Sequence, residues 1–454
     1  MRRCSVITTG RLEADHIAAL EGLQGEVTVD RRCADLAELM AAAESMRADA
    51  ALIIGGTSSL TGTLLDRLRD AGLRVVVISD VAEERRRLAA LGAATLRDEA
   101  GVEQLAGTLL GSPGAAPPPP PRAQPGSGRA SAGAASGKPA PGFEEILAAQ
   151  DLAQGLVEGQ EEVPEPSPAG GITVVWGSHG SPGRTTVAVN MAAELAAAGH
   201  RVLLIDADTT AAGVVTHLGL LEESAGLAQA CRQADLGKLD ALRLRRCRTT
   251  VEVAGHRLHL LTGLPRPSRW PELRSRSLRE VLRLARAEYT CVVVDVSASA
   301  EQDEELTYDT AAPQRHAATV TALQEADRLL ALGACDALGF PRLVKAVEDL
   351  REQVPEAPAA EVVITKVRRS AVGRSPQDQL RSTWERFAPG AAAAPSFLPW
   401  DAQACDAALL KGQSLAEAAP ESELRRSIAA LAGVDLQTRR RRRPALRRRE
   451  SALG

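Results

Sequence analysis

At 454 residues the chain exceeds one ordinary domain of about 150 residues, and with 44% hydrophobic and 25% charged residues it has a globular composition, not that of a disordered or membrane-spanning protein. A net charge of −4 hides an asymmetry: eight arginines fall within Arg439–Arg449, and without them the remainder stands at −12. An acidic body argues against a general nucleic-acid-binding surface, while the tail is left to meet an anionic partner.

The first residues, "MRRCSVITTGRLEADH", lack the apolar core of a signal peptide, and no uninterrupted apolar run of about 18 residues occurs. The seven cysteines are scattered without a C-x-x-C pair and fit buried thiols in a reducing compartment. Both features predict a cytoplasmic protein.

Residues 1–111 alternate apolar runs ("CSVITTG", "AALIIGG", "RVVVISD") with helical patterns ("LAELMAAAESM", "LLDRLRDAG", "AEERRRLAALGA", "EQLAGTLL"). Alternation of this kind predicts a parallel α/β sheet covered on both faces. The order and size resemble a response-regulator receiver domain, which is flavodoxin-like and carries a phospho-accepting aspartate after its third strand. Here that strand ends in Gly55 and Gly56, "CSVITTG" lacks the acidic pair that would hold magnesium, and Arg97 stands where the family keeps a lysine. The resemblance therefore implies a pseudo-receiver that docks a protein partner.

Residues 112–170 read as a linker. Ala115–Gly142 is almost entirely Pro, Gly, Ala and Ser, and "FEEILAAQDLAQGLV" has the spacing of one short helix before a second loose stretch. Beyond it, in 171–436, the runs "GITVVW", "HRVLLIDAD", "LHLLTG", "TCVVVDVS", "RLLALGA", "EVVITKV" and "SFLPW" predict a doubly wound parallel sheet. Ligands bind such sheets beyond the carboxyl ends of the strands.

After "ITVVW" comes "GSHGSPGRTT", then a helix with Val187, Met191 and Leu195 on one face, stopping at Gly199. Strand, glycine loop and helix N-terminus follow the order of a phosphate-binding loop. Gly180 and Gly183 supply the flexible path and Thr185 a magnesium hydroxyl. Three departures accompany them. Arg184 replaces the usual lysine, Pro182 lacks an N–H, and Ser178 replaces the first glycine. Asp206 and Asp208 end one buried strand and Asp295 another. Buried carboxylates beside an anion loop suggest a shared magnesium site, and the alternative is that they cap the turns that follow.

The run "TTVAVNMAAELAAAGHRVLLIDAD" resembles the MinD/ParA family of deviant P-loop NTPases, whose loop reads K-G-G-x-G-K-T-T. The resemblance implies a doubly wound P-loop ATPase fold, ATP and Mg2+ as cofactors, and a homodimer formed on ATP binding. It places Gly183, Arg184, Thr185 and Thr186 at the loop's end, with Ser178, Gly180, Ser181 and Pro182 completing the cradle. His179 falls at the signature lysine that relatives extend to the partner's nucleotide. Asp208 matches the aspartate that orients the attacking water, Asp295 the magnesium carboxylate with Asp206 beside it, and Thr365 the position of an adenine-contacting Asn. Slow hydrolysis is expected, because histidine near neutral pH is a weaker cation than lysine and lost positioning lowers turnover more than binding.

Together with the receiver-like segment, the chain resembles the CpaE/TadZ group. That resemblance implies positioning of pilus or secretion machinery, or of a division site, at the cytoplasmic membrane. Two alternatives stay open, a non-catalytic scaffold and a partitioning ATPase that binds DNA nonspecifically. Residues 301–318 lie where a nucleotide-sensing switch would be, and Asp303, Glu304 and Glu305 read as a solvated helix start or a second metal site. Residues 437–454 follow a last helix with Leu424, Ile428 and Leu431 in register. They fit a solubilising tail, an anionic membrane surface at roughly 1 kcal/mol per basic residue, or nonspecific DNA.

Overall fold

The computed structural model describes residues 3–111 apart from 13, 24 and 25, and residues 171–436 apart from 222–224, 302–312 and 389–393. The expected linker helix, the cluster Asp303–Glu305 and the arginine tail 437–454 lie outside the described residues.

The first sheet runs β2-β1-β3-β4-β5, all parallel, from β1 (Cys4–Gly10), β2 (Val27–Cys33), β3 (Ala50–Ile54), β4 (Arg74–Ile78) and β5 (Ala94–Leu96). This is the order of a flavodoxin-like sheet. Alternation along each strand feeds two cores. Ile7, Ile53 and Val77 pack against α2 (Leu36–Ser45), α3 (Gly62–Asp70) and α4 (Ala82–Ala90). Val6, Leu52 and Ile78 pack against α1 (His16–Gly22) and α5 (Val102–Leu110). Edge strand β2 gives a weaker signal in sequence, because Asp30, Arg31 and Arg32 face solvent.

The second sheet runs β13-β12-β11-β6-β10-β7-β9-β8. Its strands are β6 (Gly171–Gly177), β7 (Val202–Ala207), β8 (Thr249–Val253), β9 (His256–Leu261), β10 (Cys291–Val296), β11 (Arg328–Ala334), β12 (Ala360–Val367) and β13 (Ser396–Pro399). All neighbours are parallel except β8 and β9. The expected run "LHLLTG" lies largely within β9, but its hairpin partner β8 was not among the expected strands. Its signal is the alternation in "TTVEVAGHRLHLL" around Ala254 (φ 51°) and Gly255 (φ 77°), two positive φ values in a row as a tight hairpin turn demands.

The helix after the loop, Arg184–Ala197, is buried nearly all round, and Gly199 (φ 92°) follows its end. Val187 and Met191 are buried as expected, whereas Leu195 is only half-buried. Buried Glu194 is instead met by Arg425 of the helix Glu423–Leu431 at 2.5 and 3.3 Å. Asn190 accepts the Leu415 N–H at 2.6 Å, so the C-terminal helices close over this one. Both sheets belong to one compact unit. Among the described residues, no helix is long and apolar enough to cross a membrane.

Candidate functional site

The site lies at the carboxyl ends of β6, β10 and β7. Gly177 lets β6 lie against β11 where a Cβ would collide with the Leu332 carbonyl, and the Ser178 N–H donates to that same oxygen at 3.0 Å. The chain then turns through Gly180 (φ 103°), Ser181 (φ 54°) and Gly183 (φ 97°). Ser181 holds a left-handed conformation that costs a non-glycine residue on the order of 1 kcal/mol. Gly183 opens the helix Arg184–Ala197 without a side-chain cap, leaving its first amides directed at the loop.

Three carboxylates converge beneath it. Asp206 accepts from the N–H of Asp208 (3.3 Å) and of Val214 (3.0 Å), and Asp208 accepts from Thr210 (2.8 Å) and Ala211 (2.9 Å). Both therefore cap the turn after β7. Asp295 does not: it is fully buried, and neither of its oxygens has a hydrogen-bond partner among the described residues. It stands in register with Asp206 on the neighbouring strand. Burial, and then the Asp206 charge, push the Asp295 pKa well above the usual carboxylate range, with the Thr185 hydroxyl working the other way. Burial likewise lifts Asp206 to about 7. A buried carboxylate with no more than one nearby hydroxyl to answer it calls for a proton or a cation.

That donor set fits magnesium. Among the described residues no group of three or more His, Cys, Asp or Glu side chains could hold a metal by itself. A site of few protein oxygens suits an ion that keeps several waters and binds phosphate oxygens as well. The Ser178 hydroxyl, buried and also without a partner, lies in the loop above.

Residues 173–413 match the CobQ/CobB/MinD/ParA nucleotide-binding domain family, CbiA. The chain belongs to that family. Similar solved structures include the cell division ATPase MinD of Pyrococcus furiosus (18% identity, 58% of this chain and 97% of that one, TM-score 0.45) and a ParA family ATPase of Chlorobium tepidum (19%, 58% and 99%, 0.46). A third is the septum site-determining protein MinD of Pyrococcus horikoshii, complexed with Mg-ADP (18%, 59% and 97%, 0.45). No curated protein matches the chain.

In this CobQ/CobB/MinD/ParA domain the loop's arginine is turned inward. Arg184 donates to the Val296 carbonyl (3.1 Å) and the Ser178 carbonyl (3.3 Å), and its remaining nitrogen lies 3.7 Å from Asp208. Its planar fork of donors finds carbonyls close at hand, which a lysine ammonium would serve less well. His179 pairs with the Ser299 hydroxyl at 3.2 Å, and Thr186 lies 3.4 Å from His217. Thr365 is buried and donates to the carbonyls of Pro182 (2.7 Å) and Gly333 (3.2 Å), so in this structure it braces the loop from below.

Two cations that the sequence reading did not single out approach the same loop. Lys366, at φ 57°, donates to the Ser181 carbonyl at 2.8 Å. Arg342 lies 3.1 Å from where a side chain on Gly180 would begin. Neither sits in a recognisable spacing. The signal for Lys366 is only its place beside Thr365 at the end of a buried strand.

Proposed function

We propose that this chain is an ATP- and Mg2+-binding switch of the MinD/ParA kind. It hydrolyses ATP slowly and acts as a nucleotide-dependent homodimer that positions pilus or secretion machinery, or a division site, at the cytoplasmic membrane. The observation that carries this reading is Asp295, a buried and unpaired carboxylate beneath an anion loop. Thr185, Asp295 and Asp206 would hold magnesium, which supplies charge neutralisation at the phosphates. Ser178, Gly180, Ser181 and Gly183–Thr186 form the cradle, Pro182 and Thr365 fix its underside, and Asp208 positions the attacking water. Arg184 must leave two carbonyls and Asp208 before it reaches a phosphate, and His179 must leave Ser299. Both requirements favour binding over turnover.

Residues 1–111 serve as a phosphorylation-silent pseudo-receiver, as in the CpaE/TadZ group. Uptake of phosphoryl groups from acetyl phosphate, seen by mass spectrometry, would remove that part of the reading. The inward tether of Arg184 also supports a second reading, a scaffold without catalysis. Titration calorimetry with Mg-ATP tests the first. A folded, monodisperse protein that gives no heat would sink it, and steady-state turnover near the enzyme median of about 10 per second would sink the slow-switch assignment.

A further inference from the structure

The N-terminal domain and the domain that carries the loop meet through polar contacts centred on α3 and α4. Thr63 donates its N–H (2.8 Å) and its hydroxyl (2.6 Å) to Asp235, the last residue of the helix Gly226–Asp235. One turn along α3, both oxygens of Asp66 accept from Arg276 (2.7 and 2.8 Å), in the first turn of the helix Ser275–Glu288. The buried Arg87 of α4 donates to Leu60 and Leu236 at 2.8 Å each and to Thr57 at 2.7 Å. One guanidinium thus joins the turn after β3 to the end of the helix Gly226–Asp235. A polar contact of this kind between two cores is of the type that opens and closes.

Beside it lies a crevice of about 330 Å³, lined by Thr63 and Asp66 on one wall and by Trp270, Arg276, Pro313 and Gln314 on the other. Arg315 continues the chain of contacts. Its guanidinium lies 5.5 Å from the Trp270 ring centre and donates to the Thr209 carbonyl at 3.4 Å, next to Asp208, while its other terminal nitrogen is buried with no hydrogen-bond partner among the described residues. Farther along, Arg279 of the gripped helix pairs with Glu325, just past the helix Ala317–Gln324.

We propose that the N-terminal domain is a brake acting in cis on the loop site. The docked α3–α4 face fixes the first turn of Ser275–Glu288 beside Trp270, and this holds Arg315 against the Asp208–Ala211 turn. Undocking releases that turn. The link to nucleotide rests on the function proposed above, but the mechanical link does not. By reciprocity, a protein that captures the α3–α4 face would alter nucleotide affinity by the factor with which nucleotide alters docking.

Hydrogen exchange on the full-length, nucleotide-free protein tests this with Asp66→Arg, Arg276→Asp and the double swap. Each single change puts like charges at a contact worth little by itself, and is expected to raise amide exchange at 209–211 and 314–320 about fivefold, with β1 and β4 still protected. The double swap is expected to move exchange back toward the parent. If α3 and the 275–278 turn exchange faster while 209–211 does not, or if nothing changes, the brake is refuted.

Should a variant unfold, the unmodified protein compared at about 0.05 and 0.5 M salt gives the same test, since screening loosens the ion pair. There, no linked rise at 209–211 refutes it. Repeating the exchange with Mg-ATP separates the two ideas: absence of any nucleotide effect removes the assigned function and leaves the nucleotide-free linkage to be judged by itself.

Discussion

Asp206 and Asp295 face each other in register on adjacent parallel strands, yet only Asp206 has donors for its carboxylate. The asymmetry separates a turn-capping aspartate from one that has no hydrogen-bond partner among the described residues and only the Thr185 hydroxyl and Arg184 to favour its charge, and the first expectation follows from it.

Asp206 is raised from 3.8 to about 7, so between those values the folded protein holds a proton that the unfolded chain has released. Its stabilisation is complete below pH 3.8 and is lost as pH rises through about 7, at about 1.4 kcal/mol per pH unit for one proton. Other carboxylates titrate as well, so the readout is a difference. Asp206→Asn is expected to flatten the fall in denaturation midpoint between pH 5 and 7 in metal-free buffer. An unchanged slope would contradict the raised value.

Arg184 decides between a switch and a scaffold. If the loop grips nucleotide, Arg184→Ala abolishes ATP-dependent dimerisation measured by light scattering. Arg184→Lys, lacking the fork that holds Val296, Ser178 and Asp208, raises turnover by about tenfold or more. An Arg184→Ala protein that assembles like its parent would favour the scaffold.

Gly177 is required by its neighbour. A methyl group there meets the backbone carbonyl of Leu332, which cannot swing aside. Gly177→Ala is expected to cost about 3 kcal/mol in urea denaturation and to displace the loop. A loss below about 1 kcal/mol would mean that β6 and β11 part easily.

Glu194 is 1% exposed and Arg425 16%. Removing Arg425 strands a charge in the core, so Arg425→Ala is expected to cost about 3–5 kcal/mol, while the double change to apolar residues costs far less. Equal losses in the two would show that packing outweighs charge at this pair.

The sequence by itself determined the central strands and the order of the loop, but not the edge strands β2, β5 and β8. Near-continuous apolar runs such as those of β3, β7 and β10 are buried on both faces of a parallel sheet and need no partner to declare themselves. The glycine loop is likewise largely local, since the positive φ values of Gly180 and Gly183 depend on residue type, although that of Ser181 does not. Where a feature depended on two distant segments, the sequence was silent. It set Asp206, Asp208 and Asp295 at the ends of two buried strands, and only the structure showed that the first two take backbone donors from the turn after β7 while Asp295, among the described residues, has no hydrogen-bond partner.

It offered Arg184 as a phosphate cation, whereas the carbonyls of Val296 and Ser178 decided where the guanidinium points. Nothing in 1–111 foretold that α3 would meet Asp235 and Arg276, residues 172 and 210 positions away. A polar contact leaves no periodicity in either segment. Apolar patterns are written along the chain because burial is a property of each element, but pairing of charges belongs to the tertiary structure, which alone brings the two members together.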